Sequence, residues 1–414
     1  MIEKRKFIVL LIIASSFLVL TYFHSITKMV LVERNFCDFA SYYFYANLLN
    51  DGKDVYLLTR DKNLAEEHTQ LRLLAEGSEI PVHICFGAVY SPIFFYLISF
   101  LAKFKFTTAN LVWLLINNLL VIAAMVLWIF MHRYRDSCLI LASIIVMFAS
   151  QPLLENMGIG QVGVIFLFLF LLVACLYNGK MEYLCGPALA FVLLLKPQWG
   201  LILLFFLWKR SYTVVISTII SYIAFRLIGV LLYGFDIEAS YWQSLFYWSH
   251  IQTGDVMEFS LKAVINRIFF GILPEQMKLA SIMYISVSLM LVILTFRQIP
   301  RIKNSNEFLL EYAVVISLVV IVSPKTSEHH LVPLFIPFVV ALDKLSVGNI
   351  RSIILLTAAF CLVSVKYSLI NFSAFHVGLP AILTGGKIVG VFILWWLLME
   401  TISQKYKNGM QSIP

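Results

Sequence analysis

Long apolar runs alternate with short polar segments along the whole chain. A helix of about 20 apolar residues matches the hydrocarbon thickness of a membrane, so each long run predicts one transmembrane helix. The first run extends from Phe7 to about Leu31 and lacks a cleavage site, so we expect it to remain as an uncleaved helix. The other predicted spans lie near 109–131, 138–154, 161–177, 183–196, 198–208, 212–233, 279–297, 308–323, 329–342, 351–367 and 380–400. The pattern predicts an all-α membrane protein of about 12 spans in one polytopic domain.

Two larger polar regions, 32–108 and 233–278, interrupt the apolar runs of the single domain 1–414. In the first region, 63–76 has its apolar residues at helical spacing, which predicts a helix lying on the membrane surface. Residues 91–104 are apolar but span only about 14 residues, a length that suits an interfacial or re-entrant helix better than a full span. We therefore expect a first loop that contains juxtamembrane helices.

Composition supports the membrane assignment. Hydrophobic residues make up 61% of the chain and charged residues 13%, whereas a soluble domain carries roughly 25% charged residues. The net charge of +8 is concentrated in short loops between spans, where Lys and Arg set membrane orientation. We therefore expect contacts with membrane lipids and none with nucleic acid.

Those basic loops also orient the chain. If 91–104 stays on the outer side, the basic loops 132–135, 209–210, 297–303 and 405–407 all lie in the cytoplasm. If it crosses, they all lie outside. Because Lys and Arg are enriched in cytoplasmic loops, we predict the first arrangement, with both termini inside.

In this orientation the unusual polar segments share the outer face. These are the first loop and the segments 155–161, 196–198, 233–275 and 323–330. A structural scaffold does not require such an arrangement, whereas one shared outward-facing site would produce it. The sequence therefore predicts a functional site on the outer side of the membrane.

Asp38, a few residues after the end of the first predicted span, is the first candidate residue. A carboxylate close to hydrocarbon is costly, so it needs a partner or a purpose. One interpretation is an interfacial residue that faces water or caps the helical run after it. The other is a general base that takes a proton from an acceptor hydroxyl. Taken alone, the residue favours the first interpretation.

Lys196 is the second candidate, within Lys196-Pro197-Gln198, which breaks an apolar stretch. Pro removes a backbone donor and ends or kinks a helix. Lys196 is then either a lysine that extends to the membrane surface from a hairpin turn or a positive charge for a phosphate.

His329 and His330 follow Ser323-Pro324-Lys325 at the start of a predicted span. They are either interfacial histidines or hydrogen-bonding groups for a phosphate or a sugar hydroxyl. Adjacent residues on an α-helix point about 100° apart, so we expect only one ring to face the site and no metal bound by the pair.

Other polar residues leave open alternatives. Arg226 lies inside a predicted span, where it either pairs with a carboxylate or reaches a lipid phosphate. Asp236 and Glu238 form an acid-x-acid pattern that divalent metals use but that also arises by chance. Cys37 and Cys85 bracket the first loop, either as unpaired residues or as a disulfide in an oxidising compartment.

Five different short motifs follow one another over most of the chain. They are Asp38-Phe39-x-x-Tyr42-Tyr43 with Gly52-Lys53-Asp54-Val55-Tyr56, Tyr90-Ser91-Pro92-Ile93-Phe94, Gly160-Gln161-Val162, Lys196-Pro197-Gln198, and Ser323-Pro324 with His329-His330. In these motifs the chain resembles the GT-C class of integral-membrane glycosyltransferases. It is most similar to the polyprenyl-phosphate-mannose-dependent alpha-mannosyltransferases, glycosyltransferase family 87.

The resemblance implies an inverting transfer of a hexose, usually mannose, from a polyprenyl-phosphate donor to a hydroxyl of a lipid or glycan acceptor. It implies a bacterial inner membrane with the site facing the periplasm, and neither a cofactor nor a metal. By motif match, Asp38 is the expected catalytic base. The expected donor-phosphate ligands are Lys196, His329, His330 and Lys325. The expected substrate-binding residues are Tyr42, Tyr43, Tyr90, Gln161 and Gln198.

A transporter or flippase of a lipid-linked glycan is the alternative. Such a protein is also many-spanning and interrupted by polar helix breaks. It usually contains internal repeats and polar sites at the membrane midplane, and we find neither in the sequence. The polar segments at one predicted face favour the enzyme.

Overall fold

The computed structural model describes residues 2–29, 36–59, 87–132, 137–250, 257–272, 277–303, 305–345, 349–366 and 371–411. Within these ranges the regular structure is helical, with no strand, which confirms the predicted all-α class. The surface helix predicted at 63–76 lies outside the described residues.

The α-helices are numbered here in chain order. They are α1 Ile2–Lys28, α2 Cys37–Asn50, α3 Val55–Leu58, α4 Pro92–Ile98, α5 Phe106–Met131, α6 Ser137–Phe148, α7 Gln151–Ile159, α8 Gly163–Asn178 and α9 Glu182–Leu195. They continue as α10 Gly200–Trp208, α11 Tyr212–Tyr233, α12 Phe235–His250, α13 Leu261–Ile272, α14 Met277–Gln298, α15 Phe308–Val322, α16 Phe335–Lys344, α17 Ile350–Ser364 and α18 Gly386–Gln411. Short 3-10 helices lie at Ser99–Lys103, Pro197–Trp199, Glu328–Leu334, Ser373–Phe375 and Leu379–Gly385.

Five helical segments of the described chain are long and apolar enough to cross a membrane, and the bent pair α6 and α7 brings the number to six. The five are Ile8–Lys28, Phe106–Met131, Tyr212–Tyr233, Lys278–Gln298 and Leu379–Tyr406. Several other predicted spans are apolar helices of 10–17 residues, among them α8, α9 and α15. The protein is therefore a membrane protein by these helices, while the expected 12 spans stay a prediction.

Helix α15 lies at the centre of the protein. Thirteen of its 15 residues are buried, including the polar Glu311 and Ser317. By contrast, α1, α5, α11 and α14 expose large apolar side chains such as Leu231, which is 85% exposed. Apolar faces left uncovered in this way are suited to lipid rather than to water.

Helix α2 carries Asp38 and is enclosed by protein. Eleven of its 14 residues are buried, so it packs against neighbours on almost every side. Phe39 stacks on Trp113 of α5, with ring centroids 5.4 Å apart and planes 16° apart. Aromatic packing of this kind holds the start of α2 in one orientation.

Proline sets the main break near the site. Pro197 disfavours the helical conformation in the residue before it, and Lys196 is accordingly extended, with φ −148° and ψ 98°. Helix α9 ends there, and α10 begins after the 3-10 turn Pro197–Trp199. The break leaves the Lys196 side chain at the junction of two helices.

The far end of the bundle from this break carries a second group of charges. Buried Lys209, just after α10, pairs with buried Glu311 of α15 at 2.6 Å. Glu311 also accepts hydrogen bonds from Ser305 and Tyr406. Further ion pairs join Lys344 to Glu307 at 2.9 Å and Lys303 to Glu182 at 2.9 Å.

Candidate active site

Asp38 lies buried in the first turn of α2, where it meets Gln161. The Gln161 amide donates to the Asp38 carboxylate over 2.8 Å, although 123 residues separate the two. Gln161 follows α7, so this bond ties the start of α2 to the α7–α8 junction. One carboxylate oxygen thus has a fixed partner.

A row of tyrosines continues from Gln161. The Tyr90 hydroxyl donates to the side-chain oxygen Oε1 of Gln161 at 3.1 Å, and the Tyr42 hydroxyl donates to the Tyr90 hydroxyl at 3.1 Å. Each of these groups is buried. The network therefore fixes Gln161 with its amide toward Asp38.

Tyr56 supports this network from the motif at 52–56. Gly52 turns the chain with φ +74°, and the Asp54 carboxylate caps α3 by accepting from the Tyr56 and Leu57 backbone amides at 3.0 Å. The Tyr56 hydroxyl then donates to the Tyr90 backbone carbonyl at 2.8 Å. Tyr56 was not among the predicted site residues, although its motif was recognised.

Two glycines explain the shape of the turn that carries Gln161. Gly160 has φ +74°, and a Cβ there would lie 2.6 Å from the Phe39 Cβ. A Cβ on Gly163 would lie 2.5 Å from the His329 carbonyl oxygen. The turn therefore approaches α2 on one side and the histidine segment on the other, and side chains would separate them.

Lys196 meets the histidine pair in the same region. Its ammonium nitrogen contacts Nε2 of His330, and Nε2 of His329 lies 2.9 Å from Nε2 of His330. The Ser327 backbone amide donates to Nδ1 of His330 at 2.9 Å. Because Nδ1 accepts, a neutral His330 ring carries its proton on Nε2, so Nε2 and a protonated Lys196 are both donors that face each other.

The histidine pair lies on the 3-10 helix Glu328–Leu334, where a regular α-helical start was expected. A 3-10 helix separates adjacent residues by about 120°, compared with about 100° in an α-helix. The two rings nevertheless contact each other, with centroids 4.1 Å apart. That only one of them faces a bound ligand stays a prediction.

Lys325 lies at the exposed edge of this region. It pairs with Glu258 at 3.4 Å, and its positive charge acts on Lys196. Backbone contacts hold the two segments together, since Phe259 donates to the Thr326 carbonyl at 2.7 Å. Glu258 was not predicted, because nothing in its local sequence marks it.

Other predicted residues lie elsewhere. Tyr43 donates to the Phe104 carbonyl at 2.7 Å and so anchors α2 rather than joining the Gln161 network. Gln198 is half-buried and makes no side-chain hydrogen bond to the described residues. Arg226 forms an ion pair with Glu238 of α12 and packs on the Tyr241 ring. Glu238, one of the two acids of the acid-x-acid pattern, is therefore paired with an arginine. Cys85 lies outside the described residues, so its disulfide with Cys37 stays a prediction.

The site changes the acidity of its ionisable groups. Burial raises the pKa of Asp38 to about 6, against the opposing effects of the Gln161 hydrogen bond and the Lys196 charge. Burial lowers the pKa of Lys196 to about 7, with Asp38 opposing this shift and Lys325 adding to it. A carboxylate with a raised pKa is a better base near neutral pH than an ordinary aspartate.

The arrangement joins one carboxylate and a group of basic side chains at one end of the helix bundle. The carboxylate can accept a proton, and Lys196 with the histidines can hold an anion. Residues from the start, middle and later part of the chain supply these groups.

A comparison with protein families matches residues 88–324 to glycosyltransferase family 87. The match covers more than half of the chain and includes Tyr90, Gln161 and Lys196. Asp38 precedes the matched range, and the histidine pair follows it. No curated protein matches the chain, and no solved structure matches it.

Proposed function

We propose a donor, an acceptor and a mechanism for this protein, which belongs to glycosyltransferase family 87 and is therefore a glycosyltransferase. The donor is a polyprenyl-phosphate hexose, most simply the mannose derivative. The acceptor is a hydroxyl of a lipid or a glycan. The observation that carries the proposal is the proximity of Asp38 to the Lys196–His330 contact, which provides a base and an anion site together.

In the proposed reaction, the Asp38 carboxylate takes the proton of the acceptor hydroxyl. The acceptor oxygen attacks the anomeric carbon, and the bond from that carbon to the phosphate oxygen breaks. Polyprenyl phosphate leaves from the opposite face, so the anomeric configuration inverts. One proton moves to Asp38, and the electron pair of the broken bond stays on the phosphate.

The basic residues stabilise the leaving phosphate. Negative charge develops on the departing phosphate, and preorganised cations at that position lower the barrier. Lys196, His329 and His330 supply such groups, with Lys325 at the rim. Gln161, supported by Tyr90 and Tyr42, holds Asp38, and these residues offer hydroxyl and amide groups to the sugar. Tyr43 anchors α2 at the Phe104 carbonyl, and Gln198 lies near Lys196 in the chain.

The proposed location is the periplasmic face of a bacterial inner membrane. Basic residues Lys209, Lys303 and Lys344 lie at the end of the bundle away from Lys196. Because basic residues favour the cytoplasm, the opposite end, with the site, faces outward. Both termini are then cytoplasmic.

The test is transfer by the purified protein in detergent, with polyprenyl-phosphate mannose or polyprenyl-phosphate glucose and a membrane-lipid extract as acceptor. We expect polyprenyl phosphate to be released together with a new glycosylated product. Folded protein that releases polyprenyl phosphate from neither donor contradicts the proposed donors. A flipping assay in liposomes then examines the alternative of a flippase.

The Asp38→Asn variant tests the base. The amide cannot accept the acceptor proton, so we expect transfer to fall by at least about 100-fold, the usual contribution of a general base. Asp51→Asn, at the exposed end of the same helix, is the matched control and should keep wild-type turnover. Full activity in Asp38→Asn would remove Asp38 from the mechanism.

A further inference from the structure

Lys387 lies in the first turn of α18, the last helix in the described part of the chain, and its side chain is fully buried. Its ammonium group donates to the backbone carbonyls of Val363 and Val365 at 2.8 Å each, at the end of α17. It also pairs with the Glu328 carboxylate at 2.9 Å. A buried ammonium with three such partners is held in one position.

Glu328 connects this lysine to the candidate active site. It opens the 3-10 helix Glu328–Leu334 and directly precedes His329 and His330. The same turn is held from its other side by the bond from the Ser327 amide to Nδ1 of His330. Lys387 therefore fixes the start of the segment whose histidines contact Lys196.

Lys387 does not itself belong to the anion site. Its ammonium contacts two carbonyls, a carboxylate and, at 5.6 Å, the Phe259 ring, and it lies beyond the range that matches the family. The pair with Glu328 gives Lys387 a route to the reaction through the position of the histidine turn. A displacement of about 1 Å in a catalytic group can cost on the order of 100-fold in rate.

We propose that Lys387 is a positioning residue: by holding Glu328 against the end of α17, it places His329 and His330 for the leaving phosphate. The proposal rests on the proposed function, since it assigns the histidines to phosphate stabilisation. The competing explanation is that Lys387 stabilises the fold without a specific effect on the histidines.

The test compares Lys387→Met, His330→Ala and the double variant, each normalised to folded monodisperse protein. We expect Lys387→Met to lower kcat by about 10- to 100-fold with little change in the acceptor KM. If Lys387 acts through His330, the double variant loses no more than His330→Ala alone, because the effects of residues acting as a unit do not add. Losses that multiply would overturn the proposal.

Lys209→Met is the matched control. It also breaks a buried lysine–glutamate pair, but at the other end of the bundle. We expect its loss to multiply with that of His330→Ala. A conservative Lys387→Arg variant keeps the cation and should recover part of the kcat lost in Lys387→Met.

Amide hydrogen exchange provides a readout that needs no activity. Lys387→Met should raise exchange at 327–334, where the His330 amide donates to the Ser327 carbonyl, and Lys209→Met should not. Unchanged exchange at 327–334 would overturn the proposal even if wild-type transfer fails. An inactive wild type with raised exchange in Lys387→Met would instead count against the proposed function and leave the placement by Lys387 supported.

Discussion

At the scale of single residues, the site buries two ionisable groups of opposite charge. Desolvation raises the pKa of Asp38 to about 6 and lowers the pKa of Lys196 to about 7. Asp38 can act as a base only when ionised, and Lys196 can hold a phosphate as a cation only when protonated. The ionised Asp38 and the protonated Lys196 are therefore most populated together between these two values.

We therefore predict a narrow pH optimum for kcat/KM, which reports the free enzyme. Activity rises as the pH passes about 6, because Asp38 loses its proton, and falls as the pH passes about 7, because Lys196 loses its proton. The measurement is kcat/KM for the donor between pH 5 and about 9 in a constant-ionic-strength buffer.

The Lys196→Arg variant distinguishes the rising limb of the pH profile from the falling limb. Arginine stays protonated throughout this range, so the falling limb above about pH 7 should disappear while the rising limb stays. A falling limb that persists unchanged in Lys196→Arg would contradict its assignment to Lys196.

Local sequence was sufficient to predict several residues of the site and insufficient for others. Asp38, Gln161 and Lys196 stand out because each interrupts an apolar environment. Glu258 and Lys387 do not, because charged residues beside loops and helix ends are common. Their significance depends on partners about 60 residues away or more, at Lys325 and Glu328.

At the scale of elements, two turns with similar backbone geometry differ in the space around their glycines. Gly52 and Gly160 both have φ +74°, yet Gly52 has open space around it and Gly160 packs against Phe39. The second turn places Gln161, so its tightness contributes directly to the position of Asp38.

Gly160→Ala should destabilise the protein and lower its activity. The left-handed conformation costs roughly 1–2 kcal/mol for a residue with a Cβ, and the clash with Phe39 adds about 1–3 kcal/mol. Gly52→Ala should carry only the first cost. Thermal unfolding of both variants in detergent measures the difference, and equal midpoints would contradict the role assigned to the Phe39 contact.

Helix lengths were harder to predict than helix class. Apolar composition predicts helices throughout, and Pro197 separates α9 from α10 as predicted, but the break between α6 and α7, with its bend of 47°, was not predicted. Hydropathy averages over such breaks. The 3-10 turn at Glu328–Leu334 was not predicted either, because hydropathy does not distinguish a 3-10 helix from an α-helix.

At the scale of the whole molecule, four helices connect the site to the charged end of the bundle. Helices α10, α15, α16 and α18 each have one end near the site and the other near a basic residue or its partner. Helix α10 alone spans about 14 Å. The two ends therefore have separate charge networks joined by rigid elements.

Lys209→Met should destabilise the fold by about 3–5 kcal/mol, because it leaves Glu311 buried without its cation. The double variant Lys209→Met/Glu311→Gln should be more stable than the single variant, since the amide still accepts from Ser305 or Tyr406. Unfolding midpoints of the three proteins test this. A double variant less stable than Lys209→Met would contradict the desolvation argument.

The contact between Lys387 and Glu328 also bears on how the protein is made. Asp38 is synthesised before the histidine turn, and the lysine that holds this turn lies in α18, which is synthesised after both. A chain that stops before α18 would lack this lysine, so under the proposed placement its histidine turn would not be held. We therefore expect the site to become competent only after α18 has docked.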